Sequence, residues 1–264
     1  FEGLSLGAVY SLVAIGFVLI FRATDVLSFA QPAMVVVGAG FISYFATQIG
    51  IPFWIAFILG IILTGILGFI IERTFLRPMV GEPVFSVAVL TIGIDILLRV
   101  VLDNWIGINP KYMGDPFPSF GNFGSLNIGG LTIKYLEVTA LITSLLLIFV
   151  LSVFFKKSKY GVAMRATSLD QEAALAQGIN VGRVFGLVWF IAGLLAAFAG
   201  FFITGGFNTL TNSSFISALR ALPAVVIGGL DSITGAVIGS LIIGLTQAYV
   251  CLLYTSPSPR DLSE

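Results

Sequence analysis

The stretch VLSFAQPAMVVVGAGFISYFATQIGIPFWIAFILGIILTGILGFII, residues 26–71, contains no charged side chain. One helix crosses the roughly 30 Å hydrocarbon core of a bilayer with about 20 apolar residues, so this stretch is too long for one crossing and fits two. Gln48, Gly50 and Pro52 stand near its middle, where they predict a break between two helices. The stretch therefore predicts a helical protein that spans a membrane.

Further apolar runs with few charges lie on both sides of this stretch. They cover residues 4–21, 84–102, 136–155, 184–204 and 233–254, and a shorter run at residues 215–230 holds Arg220 and Pro223. We expect an all-α, polytopic transmembrane bundle of about eight spans, with a broken or re-entrant helix near the C-terminal third. This domain covers residues 1–254, whereas the polar residues 255–264 are expected to be a truncated or non-native tail.

The composition excludes several classes of function. Charged residues make up 10% of the chain, compared with about 25% in an average soluble domain. Thirteen Lys and Arg balance thirteen Asp and Glu, so no net charge attracts nucleic acid. The chain has no histidine and one cysteine, Cys251, which excludes a histidine or cysteine metal site and a disulfide framework. We expect no enzyme activity, no bound metal and no nucleic-acid partner.

Lysine and arginine are most concentrated in residues 156–183, where they outnumber Asp170 and Glu172. Short loops rich in Lys and Arg stay in the cytoplasm. This loop is therefore predicted to be cytoplasmic, and counting spans back places loop 103–135 outside. The outer loop is rich in Pro, Gly and aromatic residues, which favours turns and a short hairpin packed on the membrane surface. Docking of a partner is the alternative role for it.

Within the cytoplasmic loop, the sequence DQEAALAQG at residues 170–178 predicts a short helix. Asp170 can cap its first turn, the alanines favour helix, and Gly178 can end it. Because such a helix is too small to have a core of its own, we expect it to lie against another surface. A solvated connecting helix without a special role is the alternative interpretation.

Two charges lie inside the predicted fourth span. A charge at mid-bilayer costs roughly 2.5–3.5 kcal/mol on insertion scales. Asp95 and Arg99 are four residues apart and share one helix face, so an internal ion pair is expected, with a substrate contact as the alternative. An intramembrane aspartyl protease using Asp95 and Asp231 is the enzyme alternative, although each follows only Gly-x rather than Gly-x-Gly.

Several ordered motifs resemble the permeases of branched-chain amino acid ABC importers. The sequence GLSLGAVYSL at residues 3–12 is similar to the family's first span, and SFAQP at 28–32 is similar to its Asn-Phe-Ala-His/Gln-Gly motif. VIGGLDSITGA at 226–236 is similar to its Leu-Gly-Gly-x-Gly-Ser-x-x-Gly-Ala run, and the Glu-Ala-Ala pattern at 172–178 resembles the coupling motif. Ser28, Pro32 and Asp231 depart from the family pattern.

The resemblance implies two functional groups of residues. The residues expected to couple the permease to an ATPase are Arg165, Asp170, Glu172, Ala173, Ala174 and Gly178. The residues expected to line the translocation path are Ser28, Phe29, Ala30 and Gln31 on one side, and Gly228, Gly229, Asp231 and Ser232 on the other. Pro223 and the glycines would interrupt the helix there, as in many transporters, and close helix packing is the alternative.

ATP and Mg²⁺ are expected on a partner, because the sequence contains no G-x-x-x-x-G-K-[ST] phosphate loop. The resemblance implies a second permease subunit, two ATP-binding subunits and a periplasmic or lipid-anchored substrate-binding protein. It also implies the plasma (inner) membrane of a bacterium or archaeon. Branched-chain, apolar amino acids are the expected substrate. Urea or short amides are alternative substrates, and an ion-gradient-driven secondary carrier is the alternative mechanism.

Overall fold

The computed structural model describes residues 2–79, 82–106, 111–112, 125–128, 131–205, 209–210 and 213–255. Helices form most of this part of the chain, and π-helical and 3₁₀ turns at Tyr44–Gln48, Glu72–Leu76 and Arg77–Met79 extend two of them. The α-helices are α1 (Glu2–Thr24), α2 (Gln31–Ser43), α3 (Phe53–Ile71), α4 (Val84–Ile106), α5 (Tyr135–Lys157), α6 (Lys159–Leu169), α7 (Gln171–Ala176), α8 (Val181–Gly205), α9 (Ser213–Leu219), α10 (Ala221–Gly228) and α11 (Ile233–Thr255).

Short strands accompany the helices. Strand β1 (Lys111–Tyr112) pairs antiparallel with β4 (Thr209–Leu210), and β2 (Ser125–Ile128) pairs antiparallel with β3 (Leu131–Lys134). The β2–β3 pair is the hairpin expected in loop 103–135; the packing of that loop on a membrane surface and the tail after Thr255 lie outside the described residues. The all-α prediction is confirmed for the bundle, and the two small antiparallel pairs lie in connecting segments, where strand pairing satisfies the backbone groups.

Six of the described helical segments are long and apolar enough to cross a membrane: Glu2–Thr24, Phe53–Met79, Val84–Trp105, Tyr135–Lys157, Val181–Gly205 and Ile233–Cys251. The predicted break after residue 48 is confirmed, because Gly50 has φ +74° and α3 begins after Pro52. However, the α-helical part of α2 has only 13 residues before its π-helical turn, and residues 213–228 are divided between α9 and α10. The predicted count of eight spans is therefore not confirmed.

Helices α1, α2 and α8 form the interior of the bundle. Helix α1 packs against α5, α8, α10 and α11, and α8 also packs against α2 and α3. A Cβ added to Gly193 of α8 would collide with the backbone of Thr64, so glycine at this position allows α3 and α8 to approach closely. Helices α4 and α5 instead expose large apolar side chains such as Phe85 and Phe149, as expected of surfaces that face lipid.

Candidate functional site

The predicted short helix at residues 170–178 is present as α7, and its two ends are built as the sequence predicts. Oδ1 of Asp170 accepts a hydrogen bond from the backbone N–H of Ala173 at 2.9 Å. At the other end Gly178 adopts φ +81°, and the N–H groups of Gly178 and Ile179 bond back to the carbonyls of Leu175 and Ala174. This is a Schellman motif, in which a left-handed glycine satisfies the last carbonyls of a helix.

One face of α7 is packed and the other is exposed. Ala174 is buried against the protein, whereas Glu172 and Ala173 are exposed and Leu175 is 58% exposed. Helix α6 continues this surface with Leu169, which is 87% exposed. Helix α7 therefore presents the Glu172 carboxylate and the Leu175 side chain outward, next to Leu169 of α6.

Arg165 belongs to the joint between α5 and α6. Its guanidinium donates a hydrogen bond to the backbone carbonyl of Phe155, in the last turn of α5. Gly161 packs so closely on the same carbonyl that a Cβ there would collide with it. Ser158 caps α6 by accepting from the N–H of Tyr160 at 3.2 Å. The orientation of α6 relative to α5 is therefore fixed by the contacts of Arg165 and Gly161 with the Phe155 carbonyl.

A buried carboxylate that the sequence analysis did not select lies beside α7. Glu72 is 1% exposed, and its carboxylate is 3.5 Å from Nε of Arg77. Residues five apart do not face each other on an α-helix, but the π-helical turn Glu72–Leu76 brings them together. Gln171 of α7 and Glu72 line one cavity. In the sequence, the Glu72–Arg77 contact is indicated only by two opposite charges five residues apart.

Residues 28–31 lie in the interior, at the start of α2. The amide of Gln31 donates to the carbonyl of Ala192 in α8 at 3.2 Å, and the N–H of Phe29 donates to the hydroxyl of Thr91 in α4 at 3.1 Å. Ser28, Ala30 and Gln31 are buried. Oγ of Ser28 and Oε1 of Gln31 have no hydrogen-bond partner in the described part of the chain, although buried polar atoms normally have one.

Residues 228–232 form the turn between α10 and α11. Gly229 adopts φ +88°, and Oγ of Ser232 accepts from the N–H of Gly235 at 3.0 Å and so caps α11. Gly228 and Gly235 touch backbone to backbone, since a Cβ on either would overlap the other's carbonyl. Asp231 is exposed. Gly228 is therefore packed closely against the first turn of α11.

Asp95 and Arg99 form the ion pair that their four-residue spacing predicts. The Arg99 guanidinium also lies 4.1 Å from the ring centroid of Phe215 in α9, which is a cation–π contact. Thr91 precedes Asp95 by one turn, so the pair lies on the face of α4 that contacts Phe29. The two predicted path groups contact different elements: residues 28–31 contact α4 and α8, whereas residues 228–232 connect α10 and α11.

Residues 1–263 match the family model of the branched-chain amino acid transport system permease component. The chain belongs to this permease family. It is similar to the high-affinity branched-chain amino acid transport system permease protein BraD of Pseudomonas aeruginosa, with 27% identity covering 94% of the chain and 84% of that protein.

Relatives from enteric bacteria cover even more of this permease. The permease protein LivH of Salmonella typhimurium is 30% identical to the chain and LivH of Escherichia coli is 29% identical, each over 99% of the chain and 88% of the relative. No solved structure matches the chain. Membership of a transport-permease family disfavours the aspartyl protease hypothesis, and the structure pairs Asp95 with Arg99.

Proposed function

We propose that the chain is the membrane-spanning permease subunit of an ATP-binding-cassette importer that carries branched-chain, apolar amino acids. The observation that carries this proposal is the family match over residues 1–263, joined to a capped helix, α7, whose outer face is exposed. Residues 156–183 are cytoplasmic in this proposal, and loop 103–135 is external. The membrane is the plasma (inner) membrane of a bacterium or archaeon.

The proposed partners follow from the missing phosphate loop and from the exposed outer face of α7. Its sequence contains no phosphate loop, so two separate ATP-binding subunits hold ATP and Mg²⁺. A second permease subunit completes the path, and a periplasmic or lipid-anchored binding protein delivers the substrate. The chain itself is a transport subunit rather than an enzyme.

Helix α7 transmits the ATPase movement in this proposal. Glu172 and Ala173 contact the ATPase, while Ala174 packs on the permease. Asp170 and Gly178 hold the ends of the helix, so that it moves as one unit, and Arg165 ties the movement to α5. When the ATPases bind nucleotide and close, they move α7, and this movement rocks the spans between outward-open and inward-open states.

The translocation path passes the start of α2 and the α10–α11 turn. On the first side, Ser28 and Gln31 offer buried oxygens that have no hydrogen-bond partner among the described residues, beside Phe29 and Ala30. On the second side, Gly228, Gly229, Asp231 and Ser232 interrupt the helical backbone between α10 and α11. With α9 and α10 as the broken helix and α2 as a short crossing, the native bundle has eight spans.

An apolar amino acid fits these surroundings better than a solute that needs many hydrogen bonds, because unpaired polar groups are costly away from water. Urea and short amides remain the alternative substrates. Uptake of labelled leucine into vesicles containing the complex, with unlabelled valine, urea or acetamide as competitors, distinguishes them. We expect competition by valine alone; competition by urea would replace the proposed substrate class.

The substitution Glu172→Lys tests the coupling role. We expect ATP-dependent uptake to fall roughly 100-fold, because reversing a charge at a protein contact costs several kcal/mol, while membrane insertion is unchanged. Asp103→Lys makes the same change of charge at the end of α4 and serves as the matched control. If uptake continues without ATP and follows an ion gradient, or if no ATPase copurifies, the chain is a secondary carrier.

A further inference from the structure

A cavity of about 250 Å³ lies where three spans meet at one end of the bundle. Helix α1 ends at Thr24, α5 ends at Lys157 and α11 begins at Ile233, and each contributes to its walls, together with α6. Because spans leave the hydrocarbon core at their ends, this cavity lies at the level of the lipid headgroups. It does not include the residues proposed for the translocation path.

Three cations line this cavity: Arg22 of α1, Lys156 of α5 and Arg165 of α6. No carboxylate is among the lining residues, and none of the three cations takes part in an ion pair within the part of the chain that the structure describes. Thr234, in the first turn of α11, adds the positive end of a helix dipole. The cavity is therefore complementary in charge to an anion.

The remaining walls are apolar, which distinguishes a lipid from a soluble anion. Leu19, Phe155 and Met164 line the cavity beside the cations. On α5, Phe149 lies one turn from the lining residue Ser152 and is 67% exposed; on α11, Ile238 lies one turn from Thr234 and is 59% exposed. An acyl chain attached to a bound headgroup can therefore leave the cavity along exposed apolar surface.

We propose that this cavity binds the phosphate headgroup of an anionic phospholipid. Basic pockets between transmembrane helices are a known arrangement for such headgroups. The lipid would join the ends of α1, α5 and α11 and contact α6, which leads into α7. Membranes rich in anionic lipid would therefore hold the joint between spans and the cytoplasmic helices in place. This inference does not depend on the identity of the transported substrate.

The test measures the thermal unfolding midpoint of the purified full chain in detergent while phosphatidylglycerol or phosphatidylcholine is added. A ligand that binds only the folded state raises the midpoint by an amount that grows with the ratio of its free concentration to its Kd. We expect phosphatidylglycerol to raise the midpoint and phosphatidylcholine to leave it unchanged. Native mass spectrometry of the same samples counts the lipids that stay bound.

The double variant Arg22→Gln/Lys156→Gln is expected to weaken phosphatidylglycerol binding about 30-fold, since each basic residue contributes about 1 kcal/mol near an anionic membrane surface. The control Arg73→Gln/Lys157→Gln removes the same charge from exposed residues outside the cavity and is expected to bind like the unmodified chain. If the double variant does not fold in phosphatidylcholine, Lys156→Gln alone replaces it, with an expected loss of about fivefold.

Three results would overturn the proposal. Unchanged phosphatidylglycerol affinity in the cavity variant would show that the cations do not bind the headgroup. An equal loss of affinity in the control variant would show that lipid binding depends only on the total charge of the protein. An equal rise of the midpoint with glycerol phosphate, which has the phosphate but no acyl chains, would assign the cavity to a soluble anion instead.

Discussion

The coupling segment, residues 158–178, and the interior of the bundle are held together in different ways. In the coupling segment, Ser158, Asp170 and Gly178 form their bonds within five residues of sequence. In the interior, the contacts join distant parts of the chain: Tyr10 donates to Gln247 at 2.9 Å, and Gln31 donates to Ala192. A segment whose ends are held locally can move as a unit while the interior keeps its packing.

This difference fits the proposed mechanism. The proposed lever, α7, has both ends held by bonds within the segment, and its outer face is exposed. The interior helices depend on each other, so a movement that reaches them must shift whole helices rather than single side chains. Glu72 and Arg77 lie between these two regions. Substitutions there are expected to lower the free energy of unfolding the most.

Arg77→Met is predicted to be the most destabilising of these changes. It leaves the buried carboxylate of Glu72 without a counter-charge, which costs roughly 3–5 kcal/mol in buried pairs. Because the Arg77 side chain is 37% exposed, we expect the lower end of that range. Unfolding of the purified chain in denaturant measures this loss of stability. The double variant Glu72→Gln/Arg77→Met should regain part of the loss, and a double variant as unstable as Arg77→Met would contradict the ion-pair role.

Gly235→Ala tests the interior with a smaller expected effect. The added methyl collides with the carbonyl of Gly228, and overpacking of this kind costs typically about 1–3 kcal/mol. Gly93→Ala in α4 is the matched control, because its added Cβ has no atom within 4 Å. The control should be neutral or stabilising by up to about 1 kcal/mol from helix propensity. Equal midpoints for the two variants would exclude a tight α10–α11 contact.

The sequence predicts the locally determined features well. The positions of the long helices, the break after residue 48 and both ends of α7 follow from apolar length, proline, glycine and capping residues, all of which act within a few positions. The Asp95–Arg99 pair follows from helical spacing. In each case the residues that decide the structure are neighbours along the chain.

The features that the sequence does not predict depend on distant residues or on unusual backbone. The burial of Glu72 depends on a π-helical turn and on α8, where Gly186 packs against its carboxylate. The turn between α1 and α2 includes Asp25, which adopts φ +52°. Apolar composition cannot show which polar side chain of a span faces protein, so the sequence indicates Ser28 and Gln31 only by resemblance, and the hydrogen bond from Gln31 to Ala192 depends on the fold.

Asp170→Ala is predicted to have the smallest and most local effect. Loss of an N-cap costs about 1 kcal/mol of helix stability, so hydrogen exchange of the first amides of α7 should accelerate about fivefold. The unfolding midpoint of the whole chain should not change, because α7 contributes only Ala174 to the buried core. Asp170→Asn keeps a capping oxygen and should behave like the unmodified chain. A fall of the global midpoint as large as that of Gly235→Ala would mean that α7 is part of the packed interior, and a lever that cannot loosen without unfolding the bundle could not serve as the moving contact with an ATPase.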